Sequence, residues 1–350
     1  MEQYAGIDVS LDSASVCIVD AQGKIVKEAK VACEPEVLIA WFAAHGTPMA
    51  RIGLEAGPLS QSLYAEMKAA GLPVELLETR HVRAAFKAMP VKTDRKDARG
   101  IAQLLRMGWY RPVHCKTLPS QEVRAILTAR KTLLGKLLDI ELSMRGILRG
   151  FGLKIGTVTR KSFAIRVREL TAGQATLTAI MEGLLKARAM LVAEVAALHR
   201  RLLTIARADE VCARLMTVPG VGALTALTFK AAVDDPTRIA KSRDVGPLFG
   251  LTPGRYQSGE TDIIGKITKV GDVMVRTALF EAANVMLTRS TQTSQLKTWA
   301  LDVAKRRGTK RAIVALARKL GIILHRMWVD GSRFRFAKEN AAAPALITAR

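Results

Sequence analysis

The stretch Lys92-Thr93-Asp94-Arg95-Lys96-Asp97-Ala98 opens a helical segment that the apolar spacing extends to about Met107. Thr93 is suited to cap this helix, and acidic residues in a first turn interact favourably with the positive end of the helix dipole. Asp94 and Asp97 are three residues apart, so both project from one face. Two carboxylates on one face repel each other unless a cation lies between them, and Mg²⁺ is the natural candidate. The alternative is a capped surface helix with acids in its first turn.

Residues 1–110 are predicted to form an α/β domain around this helix. Three strand-like runs come first, and Asp8 lies near the end of the first of them. A helix, a short strand that ends at Glu55, a second helix, a further strand and two more helical segments follow. The resulting order, βββαβαβα, implies a mixed sheet.

Acidic residues at the ends of two predicted strands can lie close to Asp94 and Asp97. In a sheet of this order the first and fourth strands can lie side by side, which places Asp8 beside Glu55. The helix that carries Asp94 and Asp97 can then lie across both. Four carboxylates at one point require cations, and they form an oxygen cage suited to two Mg²⁺ ions. Taken singly, each acid could equally be a solvated end of a strand or helix.

Three motifs carry a resemblance to a known family: Gly6-Ile7-Asp8, Gly53-Leu54-Glu55-Ala56 and the stretch from Lys92 to Ala98. Together they resemble the Asp-Glu-Asp-Asp tetrad of the DEDD insertion-sequence transposases, a family that includes the Piv-type DNA invertases and the bridge-RNA-guided recombinases. Its first domain is similar to the Holliday-junction resolvase RuvC. The resemblance implies a ribonuclease-H-like fold for residues 1–110 and a catalytic tetrad that binds Mg²⁺, which Mn²⁺ could replace. The implied tetrad is Asp8, Glu55, Asp94 and Asp97.

The net charge of +23 is unevenly distributed along the chain. Residues 1–110 hold 13 Lys/Arg and 13 Asp/Glu, residues 111–205 hold 17 and 6, and residues 206–350 hold 24 and 12. All the excess positive charge therefore lies outside the acidic cluster, as expected for a catalytic domain joined to a body that binds a polyanion. This composition favours nucleic acid as the polyanion, with a merely basic protein as the alternative.

Other classes of protein fit the sequence poorly. Met1 is followed by Glu2 and a strand-like pattern rather than by a signal peptide, and no apolar run approaches the roughly 20 residues of a membrane span. The four cysteines lie far apart without CxxC spacing, which favours a reducing compartment and disfavours structural zinc. We therefore expect a cytoplasmic, nucleoid-associated protein of bacterial type without a membrane partner.

Residues 111–205 are predicted to be a helical or coiled-coil linker with two long amphipathic segments. One runs from Ser120 to about Gly150 and the other from about Leu177 to Ala206, with a loop and a further helix between them. Two long helices with basic faces predict a helical hairpin or coiled coil, within one chain or between chains. We favour a role in a homo-oligomer, a dimer or tetramer, because recombination usually needs paired subunits. The family resemblance implies assembly and RNA contacts in this region.

Residues 206–335 form the predicted last domain, which is mainly helical, and residues 336–350 an alanine-rich tail. Met216–Ala226 resembles half of a helix-hairpin-helix element. In such an element Gly220 and Gly222 permit a tight turn, and free amides of the next helix bind a phosphate of the nucleic acid. A plain interhelical turn is an equal alternative.

Ser258 stands in a predicted loop, before Gly259 and near Arg255. As bare sequence, Ser-Gly in a loop is usually a turn. In the resembled family, a Ser-Gly just before a Gly-x-Ile-x-Lys stretch carries the nucleophilic serine, and Ser258 is the residue that matches. Arg255, Lys266 and Lys269 could then position a phosphodiester and stabilise charge on its oxygens.

Further cations of the last domain are candidates for contacts to nucleic acid. Arg276 lies on the polar face of a predicted helix, and a dense basic run enters an apolar helix after residue 304. The members of this run are Lys305, Arg306, Arg307, Lys310 and Arg311. A solvated helix face is the alternative interpretation, but the positively charged surroundings favour phosphate contacts.

Three functions remain open. The first, which the resemblance favours, is a DNA transposase or site-specific recombinase that cuts and rejoins donor and target DNA through a serine–DNA intermediate. The resemblance further implies that a noncoding RNA guides the reaction, and that the tetrad of one protomer meets the serine of another. The second is a metal-dependent junction endonuclease that uses water as the nucleophile. The third is a non-enzymatic nucleic-acid-binding protein whose acids are structural.

Overall fold

The computed structural model of the chain describes residues 2–87 and 91–336. The chain forms two compact units, Met1–Lys116 and Thr117–Arg350. The sequence placed the end of the first domain near residue 110, and the first unit continues for six residues beyond that point. The expected tail lies outside the described residues, apart from Phe336.

Within residues 2–87 and 91–116, the first unit contains one five-stranded sheet and four helices. Its strands are β1 (Gln3–Val9), β2 (Ser13–Asp20), β3 (Ile25–Ala32), β4 (Arg51–Glu55) and β5 (Val74–Leu77). Its helices are α1 (Pro35–His45), α2 (Ser60–Ala69), α3 (Thr79–Phe86) and α4 (Asp94–Arg106). The observed order is βββαβαβαα. The predicted order βββαβαβα is confirmed, with two helices, α3 and α4, in place of its last α.

The sheet has the strand order β3-β2-β1-β4-β5. The pairs β1–β2 and β2–β3 are antiparallel, whereas β1–β4 and β4–β5 are parallel. An antiparallel meander followed by two parallel strands, with β1 and β4 at the centre, is the arrangement of the ribonuclease-H-like fold. The predicted fold class of the first domain is therefore confirmed.

Helices cover both faces of this sheet, and alternate residues of β1 belong to different layers. Ala5 and Ile7 join an apolar core with Leu38 of α1 and Leu63 of α2. The even-numbered residues of β1 face α4, which packs across β1, β2 and β4 through residues such as Ala98. Asp8 is one of these even-numbered residues, so it lies on the face that α4 covers.

The second unit, as far as residue 336, is mainly helical, as predicted, with one β-hairpin. The helices are α5 (Leu118–Gly150), α6 (Phe163–Thr171), α7 (Ala175–Ala208), α8 (Glu210–Leu215), α9 (Ala223–Val233), α10 (Val245–Leu248), α11 (Val273–Thr288), α12 (Gln295–Arg307) and α13 (Thr309–Asp330). The hairpin consists of β6 (Pro253–Ser258) and β7 (Thr261–Ile267).

The two long helices α5 and α7 pack against each other within the chain. They have 33 and 34 residues, which corresponds to a length of about 50 Å each. At one end Met144 and Leu148 share a core with Phe163 and Met181. The intrachain alternative therefore describes their main packing, and self-association of these helices stays a prediction.

The remaining helices surround a single core at the other end of α5 and α7. Buried side chains of α9, α11 and α13 form its centre, and Leu127 of α5 and Leu202 of α7 join it. His325 is buried there: its Nδ1 lies 2.9 Å from Ser242 Oγ and its Nε2 3.0 Å from the carbonyl oxygen of Pro236. Both ring nitrogens are thus satisfied, as a structural histidine requires.

Candidate functional site

Helix α4 begins where the sequence predicts and lies directly on the sheet. The Thr93 hydroxyl accepts a hydrogen bond from the Lys96 amide (3.2 Å), which confirms the predicted N-cap. Gly6 and Gly53 are register partners on β1 and β4, and they leave room for α4. A Cβ added to Gly6 would lie 2.1 Å from the Ala98 carbonyl oxygen. Glycine is therefore required here for close approach of the helix backbone to the strand.

The four predicted acids are brought to one end of the sheet. Because Ile7 pairs with Leu54 in parallel register, the next residues, Asp8 and Glu55, follow side by side at the carboxyl ends of the two central strands. The first turn of α4 adds its two acids on the same face. Electrostatic interaction joins Asp8 to each of the other three carboxylates.

The electrostatics of this cluster disfavour the ionised forms of Asp8 and Glu55. Burial raises the pKa of Asp8 to about 6, and the negative charges of Asp97, Asp94 and Glu55 contribute in the same direction. Burial also raises the pKa of Glu55, against the lowering effects of Thr79 and of nearby cations. Perturbed carboxylates of this kind are typical of functional sites.

The arrangement is more open than a formed metal cage. Across residues 2–87 and 91–336, no three His, Cys, Asp or Glu side chains converge closely enough to hold a metal ion. Asp94 is exposed, and Asp97 Oδ2 lies 3.8 Å from the ammonium of Lys92. The donor chemistry nevertheless fits a hard divalent cation, because carboxylate oxygens are its preferred ligands and a cation would relieve their mutual repulsion.

An ion-pair clamp that the sequence analysis missed fixes α4 on the sheet. Glu28 of β3 accepts hydrogen bonds from both Arg95 and Arg99 of α4. Hydrogen bonding from Arg99, followed by that from Arg95, lowers the pKa of Glu28 to about 2, although burial opposes the shift. Glu28 is 67 residues from Arg95 in sequence, so no local pattern could reveal the pair.

Two cavities open beside the carboxylates, and Glu55 borders both. One, of about 630 Å³, is lined by Glu55 and Asp97 together with Arg80, Arg83, Lys87 and Lys92. The other, of about 380 Å³, is lined by Asp8 and Glu55 with apolar and hydroxyl side chains such as Leu11 and Ser60, and none of the described residues that line it is Lys or Arg. The surroundings of the acids are thus strongly asymmetric in charge.

Ser258 lies in the second unit, and the prediction that it stands in a loop is wrong. It is the last residue of β6 and pairs with Thr261, so the chain from 253 to 267 is a hairpin whose side chains are almost all exposed. Ser258 shares one face with Tyr256, whose partner Ile263 is also exposed. In the described part of the chain the Ser258 hydroxyl has no hydrogen-bond partner.

The cations near Ser258 divide into engaged and free groups. Arg255 donates two hydrogen bonds across the hairpin to Asp262 (2.7 and 2.6 Å). Arg276 donates from Nη1 to the carbonyl oxygens of Phe249 (3.0 Å) and Val270 (2.9 Å), at the base of the hairpin. Lys266 and Lys269 are exposed and form no ion pair among the described residues.

Arg276 therefore has a structural partner that the sequence did not predict. Its predicted contact with nucleic acid stays a prediction, and the hydrogen bonds give the side chain a separate role. Because both acceptors are backbone carbonyls that flank the hairpin, the arginine fixes the hairpin base to α11.

The two glycines of the predicted helix-hairpin-helix element have different environments. Gly220 has a φ of 85°, and a Cβ there would lie 2.4 Å from the Ala282 carbonyl oxygen of α11. Its lack of a side chain is explained by helix packing. Gly222 precedes α9 and is exposed, and a Cβ added there would meet no atom within 4 Å. Phosphate binding here stays a prediction.

The basic run spans a break between two helices. Gly308, with a φ of 83°, ends α12 and precedes α13. Lys305 lies 3.5 Å from Asp302, and the other four members of the run form no ion pair among the described residues. The four are Arg306, Arg307, Lys310 and Arg311, all exposed. Their availability is consistent with the predicted phosphate contacts, which remain a prediction.

Two family models match the chain in the regions that hold the acids and the serine. A DEDD model described as "Transposase" matches residues 5–152, and a model described as "Transposase IS116/IS110/IS902 family" matches residues 212–298. Both models describe transposases, and together they match most of the chain. The chain is therefore an enzyme that cleaves and transfers DNA, and the fold of the matched family implies the use of a divalent metal.

Two relatives that match most of the chain agree with this assignment. The chain is 29% identical over 319 residues to the transposase for insertion sequence element IS1111A of Coxiella burnetii, covering 90% of this chain and 86% of the relative. It is 26% identical to the transposase for insertion sequence element IS1328 of Yersinia enterocolitica, covering 75% and 79%. The insertion-sequence transposase resemblance is thus confirmed.

Among solved structures, RuvC of Thermus thermophilus in complex with a Holliday junction substrate matches 32% of this transposase and 100% of the RuvC chain. The sequence identity is 16% and the TM-score 0.26. The assignment of the ribonuclease-H-like fold comes from the strand order and directions. No helix within the described residues is long and apolar enough to cross a membrane.

Proposed function

We propose that this transposase cuts and rejoins DNA with a metal-dependent tetrad and a covalent serine–DNA intermediate. The observation that carries the proposal is the cluster of Asp8, Glu55, Asp94 and Asp97 at the carboxyl ends of the central strands. Their mutual repulsion, added to burial, raises the pKa of Asp8 to about 6. A site that destabilises its own ionised form is suited to binding cations.

Asp8, Glu55, Asp94 and Asp97 would hold the metal, for which we propose two Mg²⁺ ions with Mn²⁺ as a substitute. When bound, the ions polarise a phosphodiester and stabilise negative charge on its exchanging oxygens. The protein's own contribution is to hold the carboxylates at the strand ends. Gly6 and the Glu28 clamp maintain the position of α4, which supplies two of the four.

Ser258 is the proposed nucleophile. Its Oγ attacks the scissile phosphorus, so that an Oγ–P bond forms while the P–O bond to one deoxyribose breaks. The serine proton is lost and the departing deoxyribose oxygen takes up a proton, so the net charge is unchanged. Rejoining is the reverse reaction with a different DNA hydroxyl. Exposure of Ser258 on a hairpin is consistent with attack on DNA that other parts of the assembly hold.

The partners that we propose are donor DNA, target DNA and a noncoding guide RNA, in a homo-oligomer that is a dimer or tetramer. The family resemblance suggests the RNA, and the charge of residues 111–350 is compatible with it. Exposed Leu138 and Leu142 on α5, both 54% accessible, support self-association of the long helices. A cytoplasmic, nucleoid-associated location completes the proposal.

The chain's features favour recombination over the two alternatives. A junction endonuclease that uses water would need the tetrad but would leave the matched Ser258 without a role. A non-enzymatic binding protein would account for the charge of +23 but would leave four mutually repelling acids unexplained.

One assay separates the three functions. The full-length protein is incubated with DNA that contains the ends of its element, the guide RNA and Mg²⁺, then denatured and examined for protein-linked DNA. We expect an adduct that is lost in Ser258→Ala and in Asp97→Asn but kept in Ser143→Ala, which removes another exposed serine of the second unit. Free cleaved ends that persist in Ser258→Ala would identify the endonuclease, and intact DNA under every condition would identify the binding protein.

A further inference from the structure

A group of cations next to the tetrad has no role in the proposed metal chemistry. Four of the 13 Lys/Arg in residues 1–110 line the cavity of about 630 Å³ that Glu55 and Asp97 border. They are Arg80, Arg83, Lys87 and Lys92. Since residues 1–110 carry no net charge, this concentration is a local feature and does not follow from the basic character of the rest of the chain.

Most of this positive charge is free to bind an external anion. Arg80 forms an ion pair with Glu78, and Lys92 is only loosely associated with Asp97 at 3.8 Å, with 86% of its side chain exposed. Arg83 and Lys87 are exposed and have no ion-pair partner in the described ranges. Two unpaired cations therefore stand beside the tetrad.

Arg83 and Lys87 are one helical turn apart at the end of α3, so their side chains project in the same direction. Arg83 and Lys92 are close enough to Glu55 to lower its pKa, against the dominant effect of burial. The cations are thus within electrostatic range of the tetrad, while their exposure leaves donor groups for a second anion. A phosphate of a nucleic-acid strand has the charge and the oxygen acceptors that such donors bind.

We propose that Arg83 and Lys87, with Lys92, bind a backbone phosphate of the DNA strand next to the scissile phosphate. The inference rests on the proposed function, because it assigns the scissile phosphate to the tetrad. No Lys or Arg among the described residues lines the second cavity beside Glu55. We therefore expect the strand to cross the site in one orientation. Its charged phosphate backbone lies over α3, and its less charged sugar or base faces the second cavity.

Arg83 and Lys87 act as positioning residues. By holding a phosphate one step from the reacting bond, they fix which phosphodiester reaches the carboxylates. The competing explanation is that these cations only offset the negative charge of the tetrad. It predicts an altered metal requirement for cleavage without a change in the number of phosphates that the protein contacts.

The first test measures DNA binding in EDTA, so it does not depend on cleavage. The full-length double variant Arg83→Gln/Lys87→Gln is compared with the matched control Lys24→Gln/Lys68→Gln, which removes two exposed cations elsewhere in the first unit. Affinity for a labelled element-end duplex is measured between low and high salt. Because Arg83 and Lys87 bind one phosphate in this proposal, the slope of log K against log salt should fall by about 0.9 in the test variant, which is the contribution of one phosphate contact. The control should keep a larger slope than the test variant.

Equal slopes in the two double variants would overturn the proposal. Arg83→Lys/Lys87→Arg keeps both charges and should restore the slope, which separates the loss of charge from misfolding. An unchanged melting temperature in the glutamine variant completes that control.

The second test maps the bound phosphate. Single phosphates around the cleaved bond are replaced by neutral methylphosphonates, and the rate of cleavage is measured. We expect one flanking position to reduce cleavage by the wild-type protein and to have no further effect in Arg83→Gln/Lys87→Gln. Additive losses would overturn the proposal. If the protein forms no serine adduct but the salt slope falls as expected, phosphate binding stands and only the proposed nucleophile fails.

Discussion

The backbone of Gly6 on β1 approaches the carbonyl of Ala98 on α4 so closely that a Cβ on Gly6 would lie 2.1 Å from that oxygen. The contact joins a strand that ends near Asp8 to a helix whose first turn carries Asp94 and Asp97. The distance between sheet and helix, and therefore the spacing of the carboxylates, is fixed at this point of backbone contact.

Gly6→Ala should separate α4 from β1, because neither contacting backbone can rotate away as a side chain would. We expect a loss of stability of about 1–3 kcal/mol, as for overpacked cores, together with a large loss of DNA cleavage. Thermal unfolding and the adduct assay measure the two effects. Gly183→Ala in α7 is the control, since its Cβ would meet no atom within 4 Å and alanine favours helix. Wild-type cleavage by Gly6→Ala would show that this contact does not set the carboxylate spacing.

The stability of the metal-free protein should depend on pH through Asp8. The folded-state pKa of Asp8 is raised from 3.8 to about 6, so between these values the folded chain holds a proton that the unfolded chain has lost. Wild-type stability should therefore fall relative to Asp8→Asn as the pH rises from about 4 to about 6, and the difference should stay constant above that range. After allowance for solvent screening, we expect an effect of about 1 kcal/mol.

Urea unfolding in EDTA at several pH values measures this difference. A constant difference between Asp8→Asn and wild type across the range would contradict the raised pKa. Added Mg²⁺ should increase the melting temperature of the wild type more than that of Asp8→Asn, because the cation removes the repulsion that the variant already lacks.

Glu28→Gln should weaken the clamp between β3 and α4. The pKa of Glu28 is lowered from 4.5 to about 2, so its ionised form stabilises the folded state above pH 4.5, and this contribution is lost as the pH falls towards 2. We expect Glu28→Gln to cost about 2 kcal/mol at pH 7 and little at the lowest pH. The exposed acid Glu66 supplies the control, Glu66→Gln. Unfolding curves at pH 7 and pH 3 give the comparison, and an equal loss at both would exclude the ionic origin.

Arg276→Met should loosen the base of the hairpin that carries Ser258. The substitution removes the donors to the Phe249 and Val270 carbonyls while keeping a long side chain. Limited proteolysis between residues 253 and 268 should accelerate, and adduct formation should fall by about tenfold or more, since a misplaced nucleophile loses orientation. DNA affinity should change little. A reduced salt slope with unchanged proteolysis would instead support the contact with nucleic acid that the sequence predicted.

Local patterns were sufficient to predict the secondary-structure elements of the first unit that carry the four candidate acids. Alternation in the strands, the Thr93 cap and the i, i+3 spacing of Asp94 and Asp97 each depend on neighbouring residues, and all appear in the structure as expected. The glycines two residues before Asp8 and Glu55 also carried a usable signal. A glycine within a strand indicates that another backbone approaches closely. At Gly6 that backbone is the one of α4.

Features that depend on distant residues or on exposure could not be predicted. The hairpin at Ser258 has exposed side chains on both faces, so it lacks the alternation of apolar and polar residues that reveals a half-buried strand. The Glu28 clamp and the cations beside the tetrad arise only when α3, α4 and β3 come together. The sequence predicted Arg276 to be a free surface cation. Its hydrogen-bond acceptors are backbone carbonyls, which every residue carries, so no sequence pattern indicates this contact.

The hairpin places Ser258 at the end of the six residues of β6, which at about 3.3 Å per residue corresponds to a reach of about 20 Å. That distance equals roughly the width of a DNA double helix. A hydroxyl carried on such an arm can contact a strand on the far side of a duplex from the protein surface that binds it. Such a reach is compatible with the proposed attack of Ser258 on DNA.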